Sequence, residues 1–413
     1  MTLRKSTRII PIVPHSQLAK AVDNNTLEFR AALPLSLYVH IPWCVQKCPY
    51  CDFNSHEMQG GIPEEEYISA LITDLESALP LIWGRRVSSV FFGGGTPSLL
   101  SGEAIDELLT AFRSRLQLLP NAEITLEANP GTVESGKFLA FRAAGVNRLS
   151  LGIQSFNPAH LKALGRIHDD TQARRAIEIA AEHFDNFNLD LMYGLPEQTL
   201  EQALDDVNAA LSFAPPHLSC YQLTLEPNTA FAARPPALPE SDTCADMQDA
   251  IETRLATAGY THYETSAFAQ PGRQCTHNLN YWQFGDYLGI GAGAHGKLTL
   301  HDRGAWEVRR QMRWKQPKQY QAQVAAGQPI HEEFSVSATE LPFEFMMNAL
   351  RLNQGFDADL FEQRTSLPLR RIESELRLAA QDGLIARSLQ HIAPTDQGRR
   401  FLNRLLERFL VSG

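Results

Sequence analysis

Residues 37–51 read Leu37-Tyr38-Val39-His40-Ile41-Pro42-Trp43-Cys44-Val45-Gln46-Lys47-Cys48-Pro49-Tyr50-Cys51. A strand-like apolar run leads directly into three cysteines spaced C-x3-C-x2-C. Three thiolates on one tight loop can hold three irons of a cubane iron–sulfur cluster. The fourth iron finds no thiolate nearby, because the next candidate position, Phe53, is not a cysteine. An iron with an open coordination site is a reagent, and the amino and carboxylate groups of S-adenosylmethionine can chelate it. Zinc is the rival reading, with His40 or His56 as a fourth ligand. Structural zinc, however, usually takes two separated ligand pairs, and a second pair is missing. A disulfide would leave one cysteine over and suits secreted chains.

Outside this loop the composition is ordinary. The chain has 413 residues, enough for two or more domains and a sizeable core. Its 44% hydrophobic and 20% charged content is that of a soluble globular protein. A net charge of −10 argues against a nucleic-acid partner. No apolar run approaches the ~20 residues of a membrane span. Residues 1–33 lack periodicity and read as a flexible extension; Arg4, Lys5 and Arg8 precede an apolar run too short and too interrupted for a signal peptide. The other cysteines, Cys220, Cys244 and Cys275, are scattered, which suits a reducing cytoplasm.

From Leu35 a strand–helix alternation begins. Strand-like runs fall at Ser36–Ile41, Val87–Phe92, Ile124–Leu126, Arg148–Ile153, Phe187–Met192 and Leu218–Leu225. Stretches with helical spacing separate them, such as Tyr67, Ile68, Leu71, Ile72, Leu75 and Leu79 after Pro63 and three glutamates. Alternation of this kind means βαβ units and a parallel sheet. The expected fold is α/β, a partial (β/α)6 barrel over residues 34–266. A connecting segment follows at 267–335. The end of the chain, residues 336–413, reads as an α+β winged-helix-like domain, with Thr395 capping a last helix. DNA binding is a poor fit for that module, because Glu373 and Glu375 share its third helix with Arg370, Arg371 and Arg377. A lid or a docking surface for a partner fits better.

Barrel enzymes place chemistry at the C-terminal ends of strands. Here those ends carry Gly93-Gly94-Gly95-Thr96-Pro97, Glu127, Gln154 and Asp190 in turn. Glycines let backbone approach a ligand closely. Glu127 offers an acceptor to a ribose hydroxyl or an amine. Gln154, Arg166 and Asp190 can clamp carboxylate, ribose and adenine edges, and the arginine fork suits the carboxylate. Arg166 rests on spacing alone, and a surface salt-bridge arginine is an equal alternative.

The cysteine motif, its Tyr-x-His-Ile-Pro lead-in and Gly93–Pro97 resemble the radical S-adenosylmethionine enzymes, in the branch around oxygen-independent coproporphyrinogen III dehydrogenase. The resemblance implies a 4Fe–4S cluster on Cys44, Cys48 and Cys51, a low-potential electron donor, and S-adenosylmethionine contacts from Tyr38, Gly94, Gly95, Thr96, Glu127, Gln154, Arg166 and Asp190. Cys275-Thr276-His277-Asn278-Leu279-Asn280-Tyr281-Trp282 is the second informative stretch. A histidine beside aromatics is usually a core residue. His-Asn-x-x-Tyr-Trp is nevertheless similar to the motif of the HemW-type haem chaperones of the same branch. That likeness implies haem as cargo, bound through His277 with Tyr281 and Trp282 as flat faces, and haem-acceptor proteins as partners, membrane respiratory proteins among them. The location it implies is cytoplasmic, compatible with transient membrane association. Arg309, Arg310, Arg313, Lys315 and Lys318 are candidate propionate partners, with a solvated basic face as the plainer reading. Cys275 is a further candidate iron ligand that nothing in the sequence demands. The alternative activity, oxidative decarboxylation of coproporphyrinogen III propionates, is disfavoured by Phe53, where the dehydrogenase has a fourth cysteine. Gly291-Ala-Gly293-Ala-His295-Gly296 matches a dinucleotide fingerprint only formally, since Lys297–Leu300 reads as strand rather than helix; a tight turn at the barrel mouth is expected instead.

Overall fold

The structure, a computed structural model, describes residues 27–132, 135–302 and 304–410. Residues 1–26 of the expected extension lie outside the described residues. Within β1 (Leu35–Ile41), Leu35, Leu37, Val39 and Ile41 are at most 1% exposed and pack under the helices. The intervening Ser36, Tyr38 and His40 face the lumen, as the two-residue period of a strand requires. Five further strands repeat the pattern: β2 (Arg86–Gly94), β3 (Gln117–Ala128), β4 (Arg148–Gln154), β5 (Phe187–Tyr193) and β6 (His217–Gln222). They are parallel and adjacent in chain order, as expected, although β6 stops short of Leu225.

Helices α1 (Glu64–Ile82), α2 (Gly102–Arg115), α3 (Ser135–Ala144), α4 (Asp170–His183), α5 (Leu200–Leu211) and α6 (Ser241–Thr257) follow the strands. Local chemistry sets their starts. Ser101 caps α2, and capping boxes of Asp169 with Gln172 and Thr199 with Gln202 open α4 and α5.

The sheet does not end at β6. The order is β12-β11-β10-β9-β1-β2-β3-β4-β5-β6-β8-β7, open at both edges. Strands β7 (Thr261–Glu264) and β8 (Ala267–Ala269) extend one side antiparallel. After the short α7 (Thr276–Trp282), β9 (Asp286–Ile290) returns to lie parallel beside β1. It continues into the antiparallel β10 (His295–Asp302), β11 (Ala305–Arg313) and β12 (Ile330–Val336). The expected connecting segment therefore builds sheet. Its Gly-rich stretch is the β9–β10 turn. At Gly291 (φ 101°) a Cβ would lie 2.4 Å from the His40 carbonyl oxygen, and at Gly293 (φ 80°) 2.2 Å from Asn54 Nδ2, so this turn presses on the flanks of the cysteine loop.

A buried ion pair locks that edge. Arg313, at the end of β11, donates to Asp74 of α1 at 3.1 Å, and both are at most 1% exposed. Asp74 also accepts from Tyr320 Oη at 2.8 Å, on α8 (Pro317–Ala325), and from the Gly291 amide at 3.3 Å. Four separate segments thus share one carboxylate.

The C-terminal module contains α9 (Leu341–Ala349), α10 (Ala358–Thr365), a 3-10 turn at Leu369–Ile372, α11 (Glu373–Gln381) and a three-stranded sheet of β13 (Phe356–Asp357), β14 (Ile385–Arg387) and β15 (His391–Pro394). Thr395 caps the next helix as expected, but Phe401 breaks it into Asp396–Arg400 and Leu402–Glu407 and is itself 54% exposed. The flexible extension expected as far as Leu33 gives way at Leu27. Leu27, Phe29 and Leu33 are buried in the same apolar cluster as Phe345, Phe361 and Leu405, with the Phe29 and Trp306 rings 5.5 Å apart. Among the described residues no helix is long and apolar enough to cross a membrane.

Removing one partner of a buried, hydrogen-bonded ion pair leaves the other uncompensated. Asp74→Ala is expected to cost about 3–5 kcal/mol of unfolding free energy. Arg175→Ala, which breaks an exposed pair with Glu178, is expected to cost less than about 1 kcal/mol. Equal, small losses in urea titrations of both variants would refute the assignment.

Candidate functional site

The cysteine loop is closed at its base. Trp43–Cys44 pairs with His56–Glu57 as a two-strand ladder, and the Met58 amide donates to the Cys44 carbonyl at 3.0 Å. Each sulfur meets a different neighbour. Thr96 Oγ1 donates to Cys44 Sγ at 3.5 Å, Arg166 Nη1 to Cys48 Sγ at 3.6 Å, and Cys51 Sγ lies 3.7 Å from Ser55 Oγ. Burial pushes the Cys44 and Cys51 thiols up.

All three cysteines line a chamber of about 490 Å³ with Gly94, Gly95, Thr96, Glu127, Gln154, Arg166 and Asp190. Tyr38 lines the adjoining space of about 670 Å³, which shares Cys51, Gly94 and Glu127 with the first. The expected cofactor contacts are thus gathered at one mouth. Cys220, Cys244 and Cys275 are buried, and none lines the first chamber. Three thiols beside a cradle, with no fourth sulfur, fit a cubane held through three irons. The cradle needs its glycines. A Cβ on Gly94 (φ 114°) would lie 2.5 Å from the His40 ring, and one on Gly95 2.5 Å from the Trp43 carbonyl oxygen.

Arg166, placed by spacing alone, is half-buried, and its Nη2 donates to the Gly152 carbonyl at 2.8 Å. Gln154 ends β4 in the left-handed region (φ 69°), a strained conformation for a side chain of its kind. Glu127 accepts from the Gly94 amide at 3.2 Å. Burial, with Asp190 adding repulsion, pushes its carboxyl up to about 8. Burial also raises Asp190, which accepts from Ser150 Oγ at 3.0 Å and Asn188 Nδ2 at 2.7 Å.

Helix α7 carries the second motif into the lumen. Its N-terminus is held by Glu123 of β3, a residue that sequence reading missed. The carboxylate accepts from the amides of Thr276 and His277, both at 3.1 Å, where an anion meets unsatisfied N–H groups and the positive end of a helix. Cys275 Sγ donates to the same carboxylate at 3.4 Å, so this cysteine is buried in the anchor and does not face the chamber.

His277 and Tyr281, four residues apart, share the helix face that lines the larger space. Trp282 falls one position off that face. Its ring lies under the Arg351 guanidinium at 5.2 Å and lines neither space, so the expected second flat face is not in the chamber. The basic stretch also departs from expectation. Arg309 pairs with Glu307, Arg310 with Glu344, and Arg313 with Asp74; of the five only Lys315 lines the space.

The tautomer of His277 follows from its neighbours. Ser89 Oγ donates to Ser36 Oγ at 2.8 Å, so it must accept from His277 Nδ1, 3.0 Å away. That fixes the proton on Nδ1 and leaves the Nε2 lone pair without a partner among the described residues. Burial, helped by the Arg148 charge, lowers the imidazole to about 3, so it is neutral at physiological pH. A neutral imidazole held through its other nitrogen is the form in which histidine binds a metal.

Residues 38–210 match the Radical SAM superfamily and residues 336–401 the HemN C-terminal domain. A solved structure of coproporphyrinogen III oxidase (HemN) from Escherichia coli, described as a radical SAM enzyme, superposes with a TM-score of 0.77 at 27% identity, covering 92% of this chain and 90% of its own. The mouse protein named radical S-adenosyl methionine domain-containing protein 1, mitochondrial, is 38% identical over 81% of this chain and 76% of its own length. The heme chaperone HemW of Escherichia coli strain K12 is 49% identical over 92% of this chain and 98% of its own length, and that of Haemophilus influenzae is likewise 49% identical with the same coverage. The chain belongs to the HemW family of the radical SAM superfamily.

Proposed function

We propose that this protein is a haem chaperone that carries a 4Fe–4S cluster and S-adenosylmethionine, binds haem as cargo through His277, and passes it to acceptor haem proteins. The observation that carries the reading is the neutral His277 imidazole, which lines the space beside the cysteine loop with its Nδ1 held by Ser89. The 49% identity to proteins named heme chaperone, against 27% to the coproporphyrinogen III oxidase, favours this over porphyrinogen decarboxylation.

Cys44, Cys48 and Cys51 would hold the cluster, and Gly94, Gly95, Thr96, Glu127, Gln154, Arg166, Asp190 and Tyr38 would hold S-adenosylmethionine. Loaded with this pair, the site supplies one-electron reduction of the sulfonium by a low-potential donor. The chain's own contribution is placement. Arg166 can turn its fork to the methionine carboxylate. The glycine cradle brings backbone amides and carbonyls within reach of the amino group. Glu127 supplies negative charge beside a cationic cofactor. Around the cargo, Ser89 aims the imidazole and Tyr281 offers a flat face to the macrocycle.

Cys48→Ala is expected to abolish the brown absorbance and the inorganic sulfide of anaerobically reconstituted protein; an unchanged spectrum and sulfide content would remove the cluster from these thiols. His277→Ala is expected to lose haem binding, and Ser89→Ala, which removes only the aiming hydrogen bond, to weaken it about 10–100-fold. Equal haem affinity in His277→Ala and the parent protein moves the ligand elsewhere.

Glu127 gives a pH dependence with a definite sign. Its carboxyl, pushed up to about 8, is neutral in the cofactor-free site at pH 7. A cationic cofactor binds the ionised form, so binding must release a proton. Affinity for S-adenosylmethionine is expected to rise by up to about tenfold per pH unit towards 8 and to flatten above it. Calorimetry at pH 7 in buffers of different ionisation enthalpy should detect this proton in addition to the one the cofactor's ammonium loses on chelating iron, and Glu127→Gln should release up to one proton fewer per site than the parent. Equal proton release from parent and Glu127→Gln would assign the first proton to another group.

A further inference from the structure

Arg148 opens β4 and shares its lumen-facing side with Ser150, Gly152 and Gln154. It is 2% exposed, yet no hydrogen bond or ion pair engages it among the described residues, and its Nε is buried without a partner. The surrounding polar groups are bonded to one another. Asn188 donates to Ser150 and Asp190 and accepts from both His217 and Ser219; His217 also meets Tyr263 Oη at 2.8 Å. Glu123 is occupied by the amides of α7. Five guanidinium donors are therefore left over.

Glu123 and Asp190 lie close enough to favour the Arg148 charge, but they leave its N–H donors without a hydrogen-bond acceptor, and buried donors are costly until a further group completes them. The group that suits a guanidinium is a carboxylate, which accepts two parallel hydrogen bonds. Arg148 lines the same chamber as the residues proposed for the cluster and S-adenosylmethionine, on a stretch of wall it shares with Asn278, the neighbour of His277 in the sequence. Phe91, whose ring lies 5.0 Å from that of His277, lines it too. His277 and Arg148 thus line two adjoining spaces that share Cys51, Gly94 and Glu127. Meanwhile Arg309, Arg310 and Arg313, the arginines first considered for haem propionates, are held in ion pairs.

We propose that Arg148 receives one propionate carboxylate of the tetrapyrrole cargo, so that the macrocycle is fixed at two points, its iron on His277 and its acidic edge on the barrel floor. This deepens the haem reading above and rests on it. Selectivity follows from the pairing, because a tetrapyrrole whose acids are esterified keeps the iron contact and loses the floor contact.

The test titrates full-length, cluster-reconstituted protein with haem and with haem dimethyl ester, in the parent and in Arg148→Gln and Arg148→Lys. The parent is expected to prefer the free acid by on the order of tenfold to a hundredfold, the worth of a hydrogen bond between charged groups. Arg148→Gln should erase the preference by weakening haem alone, with ester affinity unchanged; Arg148→Lys should retain part of it. A parent that binds both forms equally, or an Arg148→Gln variant that keeps the preference, overturns the proposal. Cluster absorbance and the melting temperature report whether each variant has folded. Should Arg148→Gln not fold, the parent's acid-over-ester ratio and its decline in Arg148→Lys decide the matter. A parent that binds neither form through His277 overturns the haem reading itself, an outcome separable from loss of the acid preference alone.

Discussion

A strand has two faces, and the folding of this chain rests on giving them opposite chemistry. The faces of β1 to β6 that meet the helices are apolar and closed to solvent. The faces that meet in the lumen carry serines, an asparagine, two histidines, carboxylates and an arginine. Such a lumen is stable only when its polar groups bond to one another or to a ligand. Most of them do. Register places Ser36 opposite Ser89 and Ser89 opposite Glu123, while Asn188 lies opposite both Ser150 and His217. The interior is thereby tied from strand to strand, and the remaining unsatisfied groups mark where ligands belong.

The second motif depends on the same principle. α7 has only seven residues, too few to hold itself as a helix in water. It is held by the Glu123 carboxylate at its start and by Asn280, which donates to Ser36 Oγ and to the Asp286 carbonyl, both at 2.9 Å. The helix that presents His277 is thus fastened to β1, β3 and β9 at once. Ser89 and Ser36 then orient the imidazole through hydroxyls whose bonding direction is set by the strands.

Much of this was legible in the sequence because it is periodic or local. The cysteine spacing, the strand–helix alternation, the glycine cradle and the polar residues at strand ends need no tertiary information. Even the turning away of Trp282 was latent there, since helical spacing groups His277 with Tyr281 and leaves the next residue off their face. Other features were hidden because they depend on partners distant in the chain. Glu123 and Arg148 look like unremarkable polar positions in strands until the fold closes a lumen around them. Arg310 and Arg313 read as part of a basic face because their acidic partners come from α9 and from α1. The packing of Leu27 and Phe29 leaves no periodic trace, as a short non-repeating segment carries none.

That last segment has a bearing on how the protein is made. Glu28 donates its amide to Ser366, 338 positions further along the chain, beside the apolar seat of Leu27 and Phe29. During synthesis the early stretch emerges long before its seat exists, while the barrel can already be assembling between them. Closing so wide a loop comes late and at an entropic cost. The C-terminal module is thus finished by a piece of chain that precedes the whole barrel, and its docking waits until that module has been made.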